Sequence, residues 1–282
     1  MTCWVTKIIE TSRGNFEVFV KGVGNPICVT HHYSEFNNSG DYFAESFTET
    51  NKVFLVNLKG AGNSSKATEA HELSMFDAVY DLEAIREALG YFKWTFAGHS
   101  TGGMIGVIYG IHFSKSLTSL IIVGSAARKY ANSSPECIYH PGHPKFERMQ
   151  ELIEILKRSD LSPKERDGLT KERTMLSLYH PDKYEEYFSL GIHKKISASR
   201  MNFFIREEMI FDVTRELGKI STKTFVLSGR YDVQCPHFFS IEMNELITKS
   251  QLIVFNQSNH YPFLEEKWLF QQFISSHLKE TL

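Results

Sequence analysis

The sequence predicts an α/β sandwich: a mostly parallel sheet of eight strands flanked by helices, with a helical cap inserted after the sixth strand. Short, uniformly apolar runs recur along the chain, as strands buried on both faces of a parallel sheet require. Between them lie stretches whose apolar residues fall three and four apart, the spacing of helices packed on such a sheet. One long segment, 128–220, keeps helical spacing but offers no buried-strand run.

Residues 4–10 and 15–21 are rich in β-branched and aromatic side chains and flank a turn at Arg13-Gly14, so they form an antiparallel hairpin. The apolar runs at 27–30, 53–57, 94–97, 120–123, 225–228 and 252–255 supply six further strands. Helical periodicity covers 75–89, 103–113 and 266–278. The insertion is expected to be all-helical, with FERMQELIEILKR and ASRMNFFIREEMIFDVTREL as its clearest amphipathic segments. The expected division is a core from 1–127 and 221–282 with a cap at 128–220. The chain shows no internal repeat, low-complexity tract or long Gly/Ser linker, so the cap is expected to pack on the core.

Composition narrows the partners. The 282 residues carry 31 basic and 33 acidic side chains, a net charge of −2. That provides no cationic field for nucleic acid or anionic lipid, and a small-molecule substrate is the expected partner. Apolar residues at 42% and charged residues at 23% are ordinary for a folded globular chain. The start resembles a strand rather than a secretory leader, and no run reaches the ~18 to 20 apolar residues of a membrane span. The cytoplasm is the expected location. Cys3, Cys28, Cys137 and Cys235 are scattered without a C-x-x-C pair, which argues for buried or idle thiols.

Gly98-His99-Ser100-Thr101-Gly102 matches G-x-S-x-G. The apolar run WTFA enters it and the helical run GGMIGVIYGIHF leaves it, giving a strand, a sharp turn and a helix. Such a turn strains the serine backbone and needs small residues two positions either side, which Gly98 and Gly102 provide. It also places the Thr101 amide at a helix N-terminus, where it can donate to a developing oxyanion. A serine hydroxyl needs a histidine base, and the histidine needs a carboxylate to fix its tautomer. FVLSGRYDVQCP is a strand followed by a loop with Asp232, and QLIVFNQSNHYPF is a strand followed by a loop with His260. In a parallel sheet these C-terminal strand ends open on one edge, so Ser100, Asp232 and His260 can converge.

With this order the chain resembles the α/β-hydrolase family, in particular its capped carboxylesterase and proline iminopeptidase-like branch. The resemblance extends to Asn57-Leu58-Lys59-Gly60-Ala61-Gly62-Asn63-Ser64, similar to the family's D-x-R-G-x-G-x-S loop, and to Phe263-Leu264-Glu265 after His260. It implies a catalytic triad of Ser100, Asp232 and His260. Some members place the acid after the preceding strand, but Ser125, Ala126 and Ala127 stand there. By position, the resemblance gives the second oxyanion donor as the Tyr33 amide in His31-His32-Tyr33-Ser34, beside that of Thr101. The family's glycine is His32 here, which carries a steric cost if the position needs positive φ. Asn57 and Lys59 replace the family's aspartate and arginine, which questions the usual ion pairing of that loop.

His31-His32 and His140-Pro141-Gly142-His143 lack the spacing of a metal site, and Gly60-Ala61-Gly62 lacks the rest of a phosphate loop, so neither metal nor cofactor is expected. Met201, Phe203, Phe204, Met209, Ile210 and Phe211 could line an acyl pocket or simply pack. Glu207 and Glu208 read as a solvated helix face, with recognition of a substrate amine as the sharper alternative. The expected activity is therefore cofactor-independent serine hydrolysis of a carboxylic ester through an acyl-enzyme on Ser100. Relatives of the iminopeptidase type generally show H-G-G-P-G and G-x-S-W-G, where this chain has HHYS and GHSTG. The same triad would also suit an amidase or a carbon–carbon bond hydrolase. A ligand receptor with this fold and little turnover, a different class of protein, is equally compatible with the fold itself.

Overall fold

The computed structural model describes residues 3–158 and 160–278. Strands β1 (Val5–Thr11) and β2 (Gly14–Lys21) pair antiparallel as a hairpin through Val5↔Val20 to Thr11↔Gly14. They are followed by β3 (Asn25–Val29), β4 (Asn51–Val56), β5 (Trp94–His99), β6 (Leu117–Val123), β7 (Lys223–Gly229) and β8 (Ser250–Phe255). The sheet order is β1-β2-β4-β3-β5-β6-β7-β8. β2 meets β4 antiparallel, and every pair from β4 onward is parallel. β-Branched and aromatic residues dominate the central runs, and the inner residues of β4 to β7 are almost all buried. His99 pairs with Val123 and Val123 with Leu227, so these strands end at one level and send their following loops to the same edge.

Helices cover both faces. Against one pack α2 (Met75–Ala88), α3 (Thr101–Phe113) and α8 (His237–Leu246), through Leu82, Ile85, Ile108, Phe239 and Met243. Against the other pack α1 (Tyr42–Glu45), α9 (Pro262–Glu265) and α10 (Lys267–His277), through a cluster of Phe43, Phe47, Phe263, Phe270 and Phe273. α8 was not anticipated from the sequence.

Between β6 and β7 lie α4 (Phe146–Leu156), α5 (Pro163–Met175), α6 (Tyr184–Tyr187) and α7 (Ala198–Glu208). α5 has little apolar periodicity, and local chemistry starts it: a Ser162/Glu165 capping box with Pro163 at the first helical position. Two details bear on the expected all-helical insertion. Lys195–Ile196 forms a two-residue strand antiparallel to Ser34–Glu35 of the core. The ASRMNFFIREEMIFDVTREL segment stops being helical after Glu208, and a 3₁₀ turn at Thr214–Lys219 follows. The break places Phe211 and Val213 inside while leaving Met209 and Ile210 exposed. Among the described residues no helix is long and apolar enough to cross a membrane.

Candidate active site

Ser100 sits between the end of β5 and the start of α3 with φ 55 and ψ −123, outside the regions that L-residues favour. The strain is held by the surroundings. The Ser100 amide donates to the Val123 carbonyl at 2.9 Å, and the Ser125 hydroxyl donates to the Ser100 carbonyl at 2.8 Å. A Cβ on Gly98 would lie 2.2 Å from the Gly102 carbonyl oxygen, and one on Gly102 would lie 2.3 Å from that of Thr30. Strand, turn and helix therefore approach more closely than any larger residue at those positions permits.

Asp232 and His260 meet beyond the ends of β7 and β8. His260 Nδ1 lies 2.9 Å from Asp232 Oδ2 and 3.1 Å from Oδ1, with both residues buried. Oδ1 also accepts the amides of Gln234 and Cys235 at 2.9 Å each, which fixes the carboxylate as an acceptor. An Nδ1–H toward Asp232 leaves Nε2 as the imidazole's base nitrogen. The residues flanking His260 are tied down by Glu265, whose carboxylate accepts the Asn259 and Tyr261 amides and also that of Tyr179. Burial pushes Glu265 up to about 7. The His260 amide donates to the Ser177 carbonyl at 3.3 Å.

Two neighbours of this pair were not singled out from the sequence. His99 Nε2 lies 2.7 Å from the His260 carbonyl, and the two rings are 4.6 Å apart. Burial holds His99 well below the usual histidine range, so it presents a neutral ring to His260. Gly124, with φ +51, runs directly beneath: a Cβ there would lie 2.9 Å from Asp232 Oδ2 and 3.3 Å from His260 Nδ1. An isolated glycine after an apolar run was the available signal, but glycine also serves ordinary turns.

The loop after β3 approaches from the opposite side. His31 bridges the hydroxyls of Ser34 and Thr101, each at 3.0 Å, and the His32 amide donates to Thr101 Oγ1 at 3.4 Å. These contacts attach the loop to the first residue of α3. Neither the Tyr33 nor the Thr101 amide is used by a backbone acceptor among the described residues. His32 has no positive φ, so replacing the family's glycine carries no backbone strain. Its ring is buried between α7 and the core, 5.4 Å from Phe204, and burial holds both His31 and His32 well below the usual histidine range.

The other substitutions are also accommodated. Lys59 pairs with Glu72 at 2.7 Å, with Asp81 at 3.7 Å and Asp77 at 4.0 Å. Asn57 accepts the Phe36 amide and donates to Glu17, whose carboxylate also holds Asn63.

The reading of Glu207 and Glu208 as a solvated face is overturned. Glu207 accepts the Met75 amide at 2.9 and 3.1 Å, placing a carboxyl group at the N-terminus of α2, and burial pushes it up to about 7. Glu208 is buried and accepts the amides of Tyr130 and Ala131. Of the apolar stripe on α7 and beyond, Phe204 packs on Tyr33 at 5.3 Å, while Phe203, Ile210 and Phe211 line a separate groove of about 450 Å³ that Ser100 does not touch. His140 and His143 each accept a nearby turn amide, from Gly142 and Lys145.

The chain matches the alpha/beta hydrolase fold family over residues 19–267. It belongs to that family. Among relatives of this alpha/beta hydrolase, the AB hydrolase superfamily protein YisY of Bacillus subtilis is 27% identical over 253 residues, covering 87% of this chain and 88% of that protein. An alpha/beta fold family hydrolase from Bacillus anthracis superposes with a TM-score of 0.94 at 43% identity, covering 98% of this chain and 99% of the other. A proline iminopeptidase of Arabidopsis thaliana is 23% identical over 238 residues, 74% of this chain and 62% of that protein.

Proposed function

We propose that the protein is a serine hydrolase that cleaves carboxylic esters with Ser100, His260 and Asp232 as its triad. The observation that carries this reading is the strained elbow serine at the same sheet edge as a buried, bidentate His260–Asp232 pair. Ser100 Oγ attacks the carbonyl carbon while His260 Nε2 takes its proton, and the negative charge that develops on the carbonyl oxygen is received by the Tyr33 and Thr101 amides. Collapse expels the alkoxide, which recovers the proton from His260. Water deprotonated by His260 then releases the acid from Ser100. Asp232 keeps Nδ1 protonated and stabilises the transient imidazolium.

An ester is favoured over a peptide N-terminus because the carboxylates that could hold a substrate amine are already committed. Glu207, Glu208 and Glu265 each accept backbone amides. The helices between β6 and β7, residues 128–220 in our division, act as the cap over this edge.

The test is kcat/KM on p-nitrophenyl esters of two to sixteen carbons and on prolyl- and alanyl-p-nitroanilide, beside Ser100→Ala. Serine-dependent ester turnover with inert anilides is expected. Preferential prolyl-anilide cleavage would transfer the assignment to an iminopeptidase, and a folded protein inert on both and unlabelled by a fluorophosphonate would point to a receptor.

A further inference from the structure

Arg200 of α7 is completely buried, yet among the described residues its guanidinium makes no ion pair with a carboxylate. Its contacts are with the core. Nη1 donates to the Lys59 carbonyl at 2.8 Å, Nη2 to His32 Nδ1 at 2.9 Å, and Nε to the His32 carbonyl. A guanidinium only donates, so His32 Nδ1 is the unprotonated nitrogen and the ring's proton is on Nε2, which faces Glu207 Oε2 at 3.4 Å. A buried cation directed at two carbonyls and a neutral imidazole costs stability. The nearby carboxylates of Asp81, Glu207 and Asp77 favour the charge without pairing with it directly, and they do not explain why the fork is turned to the His32–Tyr33 peptide.

The peptide group it touches supplies the reason. The His32 carbonyl and the Tyr33 amide are the two ends of one peptide unit. A cation hydrogen-bonded to the oxygen polarises the unit and makes the N–H at its other end a stronger donor. In a dry interior that effect is larger than in water. The residue that precedes the same helix also holds the next peptide, since the Ser197 amide donates to the Tyr33 carbonyl at 2.9 Å. α7 thereby grips both sides of Tyr33.

We infer that Arg200 is a positioning residue that acts through the His32–Tyr33 peptide, aiming the Tyr33 amide at the oxyanion and strengthening it as a donor. This rests on the ester-hydrolase reading above. It assigns part of the oxyanion site to the insertion, which therefore contributes to transition-state stabilisation.

The inference is tested with Arg200→Gln, which keeps a donor but loses the charge, and Arg200→Lys, which keeps charge but loses the fork. The readouts are kcat and KM on p-nitrophenyl butyrate, Ki for an alkyl trifluoromethyl ketone whose serine adduct carries an oxyanion, and thermal melting. Arg200→Gln should lower kcat about 10- to 100-fold, less than loss of a whole oxyanion donor, with KM nearly unchanged. Ki should rise in parallel with the loss in kcat/KM, and Arg200→Lys should lie between. Folded variants with wild-type kcat, or with only KM changed, would overturn the role.

The wild type provides an independent arm if both variants unfold. On formation of the ketone adduct the Arg200 Nε proton should move downfield in the NMR spectrum, because charge on one end of the peptide strengthens the bond at the other. An unmoved resonance in a fully formed adduct would count against the coupling. Failure of a fluorophosphonate to label wild-type Ser100 would instead remove the underlying hydrolase reading. A labelled, active wild type beside unaffected variants removes only the role of Arg200.

Discussion

On the side of Ser100 where Asp232 and His260 lie, the decisive contacts come from the ends of core strands: Gly124 after β6, the Asp232 loop after β7, and the His260 loop braced by Glu265 after β8. The insertion adds the Ser177 carbonyl and the Tyr179 amide. On the side of Tyr33 the loop after β3 is held by the core through His31 and Thr101, and by α7 through Arg200, Ser197 and Phe204. The sheet supplies the side chains of one half and the insertion only braces them, whereas the other half is a joint product of sheet and insertion. The difference shows why the two halves should respond differently to mutation and to pH.

The largest expected effect breaks the core-built half. For the proposed triad, Asp232→Asn should lower kcat by about 10⁴ by leaving His260 in the wrong tautomer, with melting little changed, as should Ser100→Ala by removing the proposed nucleophile. Near-normal turnover of Asp232→Asn in steady-state assays would show that the acid lies elsewhere. A smaller loss should follow Gly124→Ala, which adds a methyl 2.9 Å from Asp232 Oδ2 at a backbone of positive φ. We expect a cost in stability of about 1–3 kcal/mol together with a fall in kcat, measured by denaturant melts and by assay. A stable Gly124→Ala enzyme with full activity would mean the Asp232–His260 geometry tolerates displacement.

The smallest effect belongs to the α7 side and is read in stability rather than turnover. Burial raises Glu207 from 4.5 to about 7 in the folded protein, so the native state binds its proton more tightly than the unfolded chain. That contribution is complete below about pH 4.5 and is lost as pH rises to about 7, amounting to at most about 3 kcal/mol. Glu207→Gln should flatten the pH dependence of melting across this window. An unchanged slope would assign it to another group, with Glu265 the first to examine.

The elements most legible in the sequence are those with strong periodicity or local steric rules. The apolar runs of β3 to β7 are visible because their inner residues are buried on both faces, and the G-x-S-x-G turn because nothing larger than glycine fits beside it. α5 is obscured because its capping box is local while its surface is charged. The end of α7 is unmarked in the sequence because apolar residues continue past Glu208 although the backbone turns there. Glu207 and Arg200 look like surface charges on an amphipathic helix. Only the packing of that helix on the loop after β3 buries them.

The sequence by itself determined the layered α/β architecture, the elbow around Ser100, and loops carrying Asp232 and His260 beyond apolar strands. Each follows from periodicity, steric allowance or side-chain chemistry within a few residues of itself. Tertiary structure alone decided that Gly124 lies beneath the Asp232–His260 pair, that His99 packs neutral against it, and that Arg200 binds the carbonyl preceding Tyr33. These contacts join residues as far as 168 positions apart. Their strength comes from burial, which depends on how distant segments close over one another.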